Sequence, residues 1–477
     1  MNTKLRERFA KLKPGVAAGA RARLHPGGDG QAREVLGLAW PIVVAMLGDA
    51  AMGVVDTTLV GALGPAALAG VGLALTALFV GYTVVFGLMR AVKIRTAYAV
   101  GEGREDEGVR AAVAGALLGA AVGLAVLLLS RDGRWIFVAM GADAALVGPA
   151  TEFFRAHGLG APALGVTVAL VQHLQGRGDT RTPMLTGLAA NALNAALAYA
   201  LIHGHAGLPA LGVAGAGLAT SLSVAAQAIA LSFWVWRGAR GRLALGPLGP
   251  SLREVLSLGA PTAAQFGLET LAFTTFTALL GSIAAAELAA HQIALSLLRA
   301  CFLPGIAVAE AASVLVGRAL GEGRPDRADR AVRAGLWIAA GFMAFTSVGL
   351  GLASPRVLGL FTADAEVARI AARLLWVAAL FETVDAVTIV LRGALRGAKD
   401  VRFVAVVGIA ASWVCVPSAA WWLGKRLGWG AVGGWLGFVG ETTIAASLLA
   451  WRWRTAPFRR SGRRRLTGRL AAGLEAS

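Results

Sequence analysis

Carboxylates interrupt several stretches that are otherwise apolar for the length of a membrane helix. Asp49 and Asp56 lie in the run from Ala39 to Gly61, Glu269 in 255 to 281, Glu382 and Asp385 in 367 to 395, and Glu441 in 431 to 453. Asp49 and Asp56 are seven residues apart and project from about the same helical face. An unpaired charge at bilayer depth costs at least ~2.5 kcal/mol, so such groups are usually retained for function. In a low-dielectric cavity a carboxylate shares its site with a proton or a cation, which makes Asp49, Asp56, Glu269, Glu382 and Asp385 the candidates for exchanging one for the other. Glu382 and Asp385 are spaced to share a face, and two oxygen ligands there suit coordination of a cation such as sodium. The competing reading is that some of the acids pair with a buried arginine or cap a broken helix. Arg299 falls deep in the run 286 to 318, with Glu310 three turns further on the same face. An uncompensated guanidinium in lipid is costly, so Arg299 is expected to be a counter-ion to one of the acids rather than a substrate contact.

The elements that must hold these groups follow from composition. The chain has 477 residues, 57% of them hydrophobic and 15% charged, with a positive mean hydropathy, and is too apolar for a soluble globular protein. It reads as an all-α polytopic membrane protein, because an open strand cannot satisfy its backbone in lipid. Twelve apolar runs separate at charged or Gly/Pro punctuation: 35 to 61, 66 to 100, 112 to 130, 150 to 175, 182 to 203, 211 to 236, 255 to 281, 286 to 318, 333 to 353, 367 to 395, 402 to 424 and 431 to 453. The second and eighth exceed the ~20 residues a bilayer needs, so each is expected to project beyond it or to break, at Gly81 or Gly87 in one and at Pro304-Gly305 in the other.

The net charge of +18 would suggest a nucleic-acid partner in a soluble protein, but here the basic residues sit in short connections and in both tails. Lys and Arg fall largely on the side of the termini, which places both termini in the cytoplasm and the chain in the plasma (inner) membrane, with lipid rather than nucleic acid around it. The Arg459-Arg460 and Arg463-Arg464-Arg465 cluster is expected to meet anionic headgroups. The amino-terminal tail lacks an apolar core followed by a cleavage site, so no cleavable signal peptide is expected. Cys301 and Cys415 lie inside apolar runs and read as packing residues.

An internal repeat divides the chain. Arg33-Glu34-Val35-Leu36 and Pro41 recur as Arg253-Glu254-Val255-Leu256 and Pro261, and Gly101-Glu102-Gly103-Arg104 recurs as Gly321-Glu322-Gly323-Arg324, all at an offset of 220. At the same offset Asp49 falls on Glu269. Gly176, Asp179 and Arg181 match Gly397, Asp400 and Arg402 at 221. The expected layout is a basic tail (1–34), a lobe of six helices (35–236), a cytoplasmic linker (237–254), a second six-helix lobe (255–453) and a basic tail (454–477). Six spans per copy insert both copies the same way up, related by a pseudo-twofold along the membrane normal, with a substrate cleft between them.

Several motifs resemble those of multidrug and toxic compound extrusion (MATE) transporters. They are Val54-Val55-Asp56-Thr57, Gly61-x-Leu63-Gly64-Pro65-x-Ala67-Leu68-Ala69, Gln175-Gly176-x-Gly178-Asp179-Thr180-Arg181-Thr182-Pro183, Ala290-His291-Gln292-Ile293 and Arg392-Gly393-Ala394-Leu395-Arg396-Gly397-x-Lys399-Asp400. The resemblance covers about residues 33 to 453 and implies export of amphipathic organic cations in exchange for protons or sodium ions, by a chain working as a monomer. It matches Asp56, Glu269 and Asp385 to the acids of the NorM-like branch, with sodium, if used, at Glu269 and Asp385. The acid that the DinF-type branch carries in its fifth helix falls on Ala198, which argues against a proton site built wholly in the first lobe. The main alternative is a lipid-linked oligosaccharide flippase, which would line its cavity with several cations to hold a diphosphate. No enzyme activity is expected. A phosphate-cradling loop, a nucleophile elbow and a zinc-protease pattern are absent, and His203 and His205 have no thiol or carboxylate nearby to complete a metal site. Arg90, Lys93 and Arg95 read as residues snorkelling from the end of the second span, and Trp376 and Trp413 as the deeper tryptophans nearest a cavity.

Overall fold

The computed structural model describes residues 28–205, 207–239 and 246–456, and the regular elements among them are helical. The carboxy-terminal arginine cluster, most of the amino-terminal tail and part of the linker lie outside the described residues. The first half contains α1 (Gly28–Gly61), α2 (Pro65–Gly101), α3 (Glu105–Arg131), the single-turn-scale α4 (Arg134–Ala139), α5 (Ala144–Gly158), α6 (Ala161–Gly176), α7 (Arg181–His203) and α8 (Gly212–Ala239). The second contains α9 (Gly249–Gly281), α10 (Ala285–Gly321), α11 (Pro325–Leu358), α12 (Ala365–Gly397), α13 (Val401–Ala419), which continues as a π-helical turn (Ala420–Arg426), and α14 (Gly430–Thr455).

Ten of these helices are long and apolar enough to cross a bilayer, and α5 with α6, bent by 52° at Leu159-Gly160, makes an eleventh span. Helix α9 has the length, but Arg253, Glu254, Gln265 and Glu269 dilute its apolarity; its place in the repeat makes it the twelfth. The protein is therefore an integral, multi-pass membrane protein with twelve spans in two lobes. Of the two alternatives for the second and eighth runs, a break does not occur. α2 and α10 each run unbroken for 37 residues, and Pro304 stays inside α10. The broken span is the fourth.

The helix neighbours repeat with the sequence. In the first lobe α1 packs on α7, α7 on α8, α8 on α5 and α6, and α2 on α3, α5 and α6; in the second α9 packs on α13, α13 on α14, α14 on α12, and α10 on α11 and α12. Across the lobes α2 meets α9 and α10 meets α1, while α2 and α10 meet each other on the axis. There Gly101 and Gly321 touch: a Cβ on Gly321 would stand 3.1 Å from the Cα of Gly101. Only glycine lets two backbones cross so closely.

Hydrophobic burial shows where the lobes join. Val35, Ala39 and Ile42 of α1 are buried in a core made by α10, α11, α12 and α14, and Val255 and Ala263 of α9 in a core made by α2, α3, α6 and α8. Toward the other end each lobe has a core of its own, around Phe137, Phe153 and Phe154 in the first and around Phe276, Leu374 and Trp435 in the second. The lobes are thus fused at the end bearing Gly101, Gly321 and the start of α1, and separate at the opposite end.

Repeat-equivalent polar contacts reinforce the fused end. Glu34 reaches Arg327 at 2.9 Å, and its counterpart Glu254 reaches Arg95 at 2.8 Å, each crossing to the other lobe. Arg318 of α10 donates to the carbonyl of Arg177 at 2.9 Å, while its counterpart Tyr98 of α2 lies under the ammonium of Lys399, 4.6 Å from the ring centroid. Lys399 has φ +64°, a left-handed conformation costing about 1–2 kcal/mol in a side chain with a Cβ. Its ammonium bridges Tyr98 and Glu254 (3.0 Å), contacts that the equivalent Gly178 (φ +81°) does not make.

Candidate functional site

In the second lobe the acids gather around one guanidinium. Glu269 lies in the middle of α9, past Pro261, where the helix leaves the opposite lobe for its own. Its Oε1 is 3.3 Å from Nη1 of Arg392 on α12, and Nη2 of the same arginine is 3.3 Å from Oε1 of Glu441 on α14. Asp385, two turns before Arg392 on α12, is buried within the electrostatic reach of both Arg392 and Glu269. Glu382, one turn before Asp385, is 1% exposed, and its Oε2 has no hydrogen-bond partner among the described residues. Gly408 of α13 makes the room for this arrangement, since a Cβ there would strike both Gln265 and Oε1 of Glu269. Three carboxylates, Glu269, Glu441 and Asp385, gather around one arginine, with Glu382 next to Asp385 and outside the arginine's reach, a ratio that leaves acid oxygens available to a proton or a small cation.

The first lobe is built differently. Asp49 on α1 accepts from Nδ2 of Asn191 on α7 at 3.0 Å, and Asp56 accepts from Nδ2 of Asn194 at 3.3 Å to each oxygen. Thr220 of α8 in turn donates to Oδ1 of Asn194 at 3.4 Å. Asp49 is exposed and Asp56 half-buried, and neither forms an ion pair with a lysine or arginine among the described residues. The two acids thus share a face of α1, as their spacing predicts, and that face meets the asparagines of α7.

Two expectations about cations change. Arg299 is exposed and makes no ion pair with an acid among the described residues; the counter-ion of the acids is Arg392. Arg299 lies in the half of α10 that runs past the inter-lobe core, so nothing compels it to turn inward. Arg90 and Lys93 do not snorkel. Both close on Glu310 of α10 across the lobe boundary, Arg90 at 2.5 Å, and Lys93 is 2% exposed. Arg95 likewise reaches Glu254 and Glu107. Of the aromatic candidates, Trp413 donates its indole N–H to the carbonyl of Leu268 at 3.1 Å, next to Glu269, and is partly exposed there, whereas Trp376 covers Gly351 of α11. His291 is buried, accepts from Nε1 of Trp435 at 3.2 Å and is ringed by Phe273 and Phe276. His203 and His205 stack around Tyr199.

With this geometry in place, the chain can be compared with known proteins. The family model MatE matches residues 41–200 and 261–422, one segment in each lobe. The chain belongs to the MatE family. Among curated MATE proteins it is 32% identical over 430 residues to a probable multidrug resistance protein NorM of Burkholderia mallei, covering 88% of this chain and 92% of that one. It is 34% identical over 432 residues to the probable NorM of Bradyrhizobium diazoefficiens, with the same coverage. Among solved structures its fold matches the eukaryotic MATE transporter AtDTX14 with a TM-score of 0.81 at 21% identity, covering 91% of this chain and 98% of that one. An outward-facing MATE family multidrug resistance transporter matches at 0.80 and 21%, covering 92% and 96%. MATE proteins are transporters, and this chain is a NorM-like member of the family, not an enzyme.

Proposed function

We propose that this protein is a cation-coupled antiporter that exports amphipathic organic cations by alternating access of the cleft between its lobes. The observation that carries the proposal is the excess of acid in the second lobe, where Glu269, Asp385 and Glu441 share Arg392 and Glu382 stands buried beside Asp385. A bare carboxylate buried like Glu382 is costly unless a proton or cation joins it, so entry of an ion at this cluster is favourable and its departure leaves charge for another cation to satisfy. Asp56, and beside it Asp49, offer an organic cation a carboxylate whose described partner is a neutral amide. Competition between the coupling ion and the organic cation for the acids of the cleft makes each ligand weaken the other's binding, which is the thermodynamic requirement for exchange. The multidrug resistance names of the relatives support this substrate class.

The flippase alternative needs several cations facing an open cleft. Lys93 and Arg396 are instead buried, and Arg90 and Lys93 are occupied by Glu310 between the fused halves, which favours the antiporter. The test is transport by purified protein in liposomes. A fluorescent organic cation should move against its gradient when a proton or sodium gradient is imposed in the opposite direction, each ion being tried separately. Movement that needs neither gradient, or that needs ATP, would overturn coupling.

A further inference from the structure

Gln265 is fully buried on α9 one turn before Glu269, and its two amide ends face opposite charges. Its Nε2 donates to Oε1 of Glu269 at 2.9 Å, and its Oε1 accepts from Nη2 of Arg396 at 3.0 Å. An amide has one donor end and one acceptor end, and this orientation turns the donor toward Glu269, which suits its ionised state, in which both carboxylate oxygens only accept. Arg396 lies over the ring of Phe266, 5.3 Å from its centroid, and Arg90 of the other lobe lies over the same ring at 4.9 Å. Arg90 and Lys93 are the residues that close on Glu310 across the lobe boundary. A chain of contacts therefore runs from the acid cluster by hydrogen bonds through Gln265 to Arg396, and from there across the apolar ring of Phe266 to the ion pairs that fasten α2 to α10.

We propose that Gln265 and Arg396 are positioning residues that tie cation occupancy at Glu269 to the Arg90/Lys93–Glu310 fastening, so that filling the acid cluster loosens the fused end of the lobes. The proposal rests on Glu269 being a coupling-ion site. A cation held at Glu269 attracts oxygen, and a protonated Glu269 gains an O–H to donate while losing acceptor capacity, so either ion shifts the preference toward the orientation with the carbonyl of Gln265 facing Glu269. The amide nitrogen then faces the guanidinium of Arg396, donor against donor, and Arg396 is driven off. With the negative charge of Glu269 satisfied, Arg90, Lys93 and Arg396 are left to repel one another around Glu310. The other charges acting on Glu269 are Asp385, Arg392 and Arg396 from α12, Glu441 from α14 and Arg90 from α2, while α13 presents Gly408. Gln265 is the hydrogen-bonding amide between Glu269 and Arg396, and an amide has two discrete orientations, which is the bistable element that coupling requires.

The experiment uses the full chain with Cys301 and Cys415 replaced by serine and spin labels at Asp106 and Asp326. These are repeat-equivalent first-turn positions at the fused end whose own ion pairs, with Arg110 and Arg330, are local. The probes are a step to acidic pH and sodium chloride against choline chloride, with ion binding followed separately by calorimetry. In the parent protein a bound ion should raise the ratio of separated to fused populations about tenfold, and Gln265→Leu should cut that response to less than about twofold while ion binding persists, a range typical of allosteric coupling. Arg396→Met breaks the relay from its other end and should do the same, which separates the relay from a local packing defect. Ion binding with an undiminished response in both variants would overturn the relay, as would ion binding to the parent with no response. Absence of ion binding to the parent would instead overturn the antiporter reading.

Discussion

The two lobes hold their acids in opposite ways. Asp49 and Asp56 are met by asparagine amides, which donate hydrogen bonds and bring no charge; Glu269 and Glu441 are met by Arg392, and Asp385 sits in the same field. The fold that presents them is the same in both halves, and Asp49 and Glu269 occupy equivalent positions, so the difference lies in the chemistry of the facing helix. A carboxylate held by an amide keeps its full charge for an incoming cation, whereas a group of carboxylates sharing an arginine keeps only the surplus. The first arrangement suits a large organic cation that brings its own charge, and the second suits a small ion that enters and leaves with a modest change in free energy.

Replacing the central cation should have the largest effect. Arg392→Met leaves Glu269 and Glu441 buried without a counter-ion, a change that costs about 3–5 kcal/mol in comparable buried pairs. The measurement is thermal unfolding in detergent beside Asn194→Ala, and equal losses in the two would erase the contrast between the lobes. Second is Glu269→Gln, which should abolish gradient-driven export while the melting temperature holds; wild-type flux would remove Glu269 from the mechanism. Next comes Gly408→Ala, whose methyl would strike Gln265 and Glu269 and should destabilise by about 1–3 kcal/mol, as overpacking does. If transport is then lost while the equivalent first-lobe glycine, Gly187, where a Cβ meets nothing closer than Gln227 at 3.6 Å, tolerates alanine, the second lobe is the more exacting site. Asp56→Asn removes the charge of the first lobe and keeps a polar side chain against Asn194, so the KM for an organic cation should rise while stability changes by less than about 1 kcal/mol. Asn194→Ala itself takes the amide away from Asp56 and Thr220 without stranding a paired charge, and should cost about 1 kcal/mol, well below Arg392→Met.

Much of this was legible in the chain. The constant offset of 220 predicts which helices are equivalent, and Gly101 and Gly321, matched by that offset, meet on the axis. The acids were visible because a carboxylate inside an apolar run is costly enough to need a reason. The bend of the fourth span at Leu159-Gly160 has a sequence signal that was passed over, Gly158, Gly160 and Pro162 within five residues, with the proline opening α6. Arg392 was overlooked as a counter-ion because it lies toward the end of its run, where an arginine is ordinarily a snorkelling residue. One signal could have found it: Asp385, Arg392 and Arg396 are spaced by seven and four, which places them along one stripe of α12. Arg299 misled for the converse reason, being central in sequence but on a part of α10 that the lobes leave uncovered. Arg90, Lys93 and Glu310 could be paired only after folding, since 217 positions separate Lys93 from Glu310.

The crossing of Gly101 with Gly321 has an ancestral meaning. A residue that touches its own duplicate across a twofold is the signature of an isologous interface, the kind that joins two identical subunits. The present chain descends, on that geometry, from a six-helix protein that paired with itself. Its halves have since diverged enough to forbid that pairing: position 327 carries arginine facing Glu34, where the duplicate position 107 carries glutamate, so two first halves brought together would set Glu34 against Glu107. Fusion into one polypeptide fixes the pairing as unlike with unlike, and it frees the acids of each half to take different partners, amides in the first and an arginine in the second.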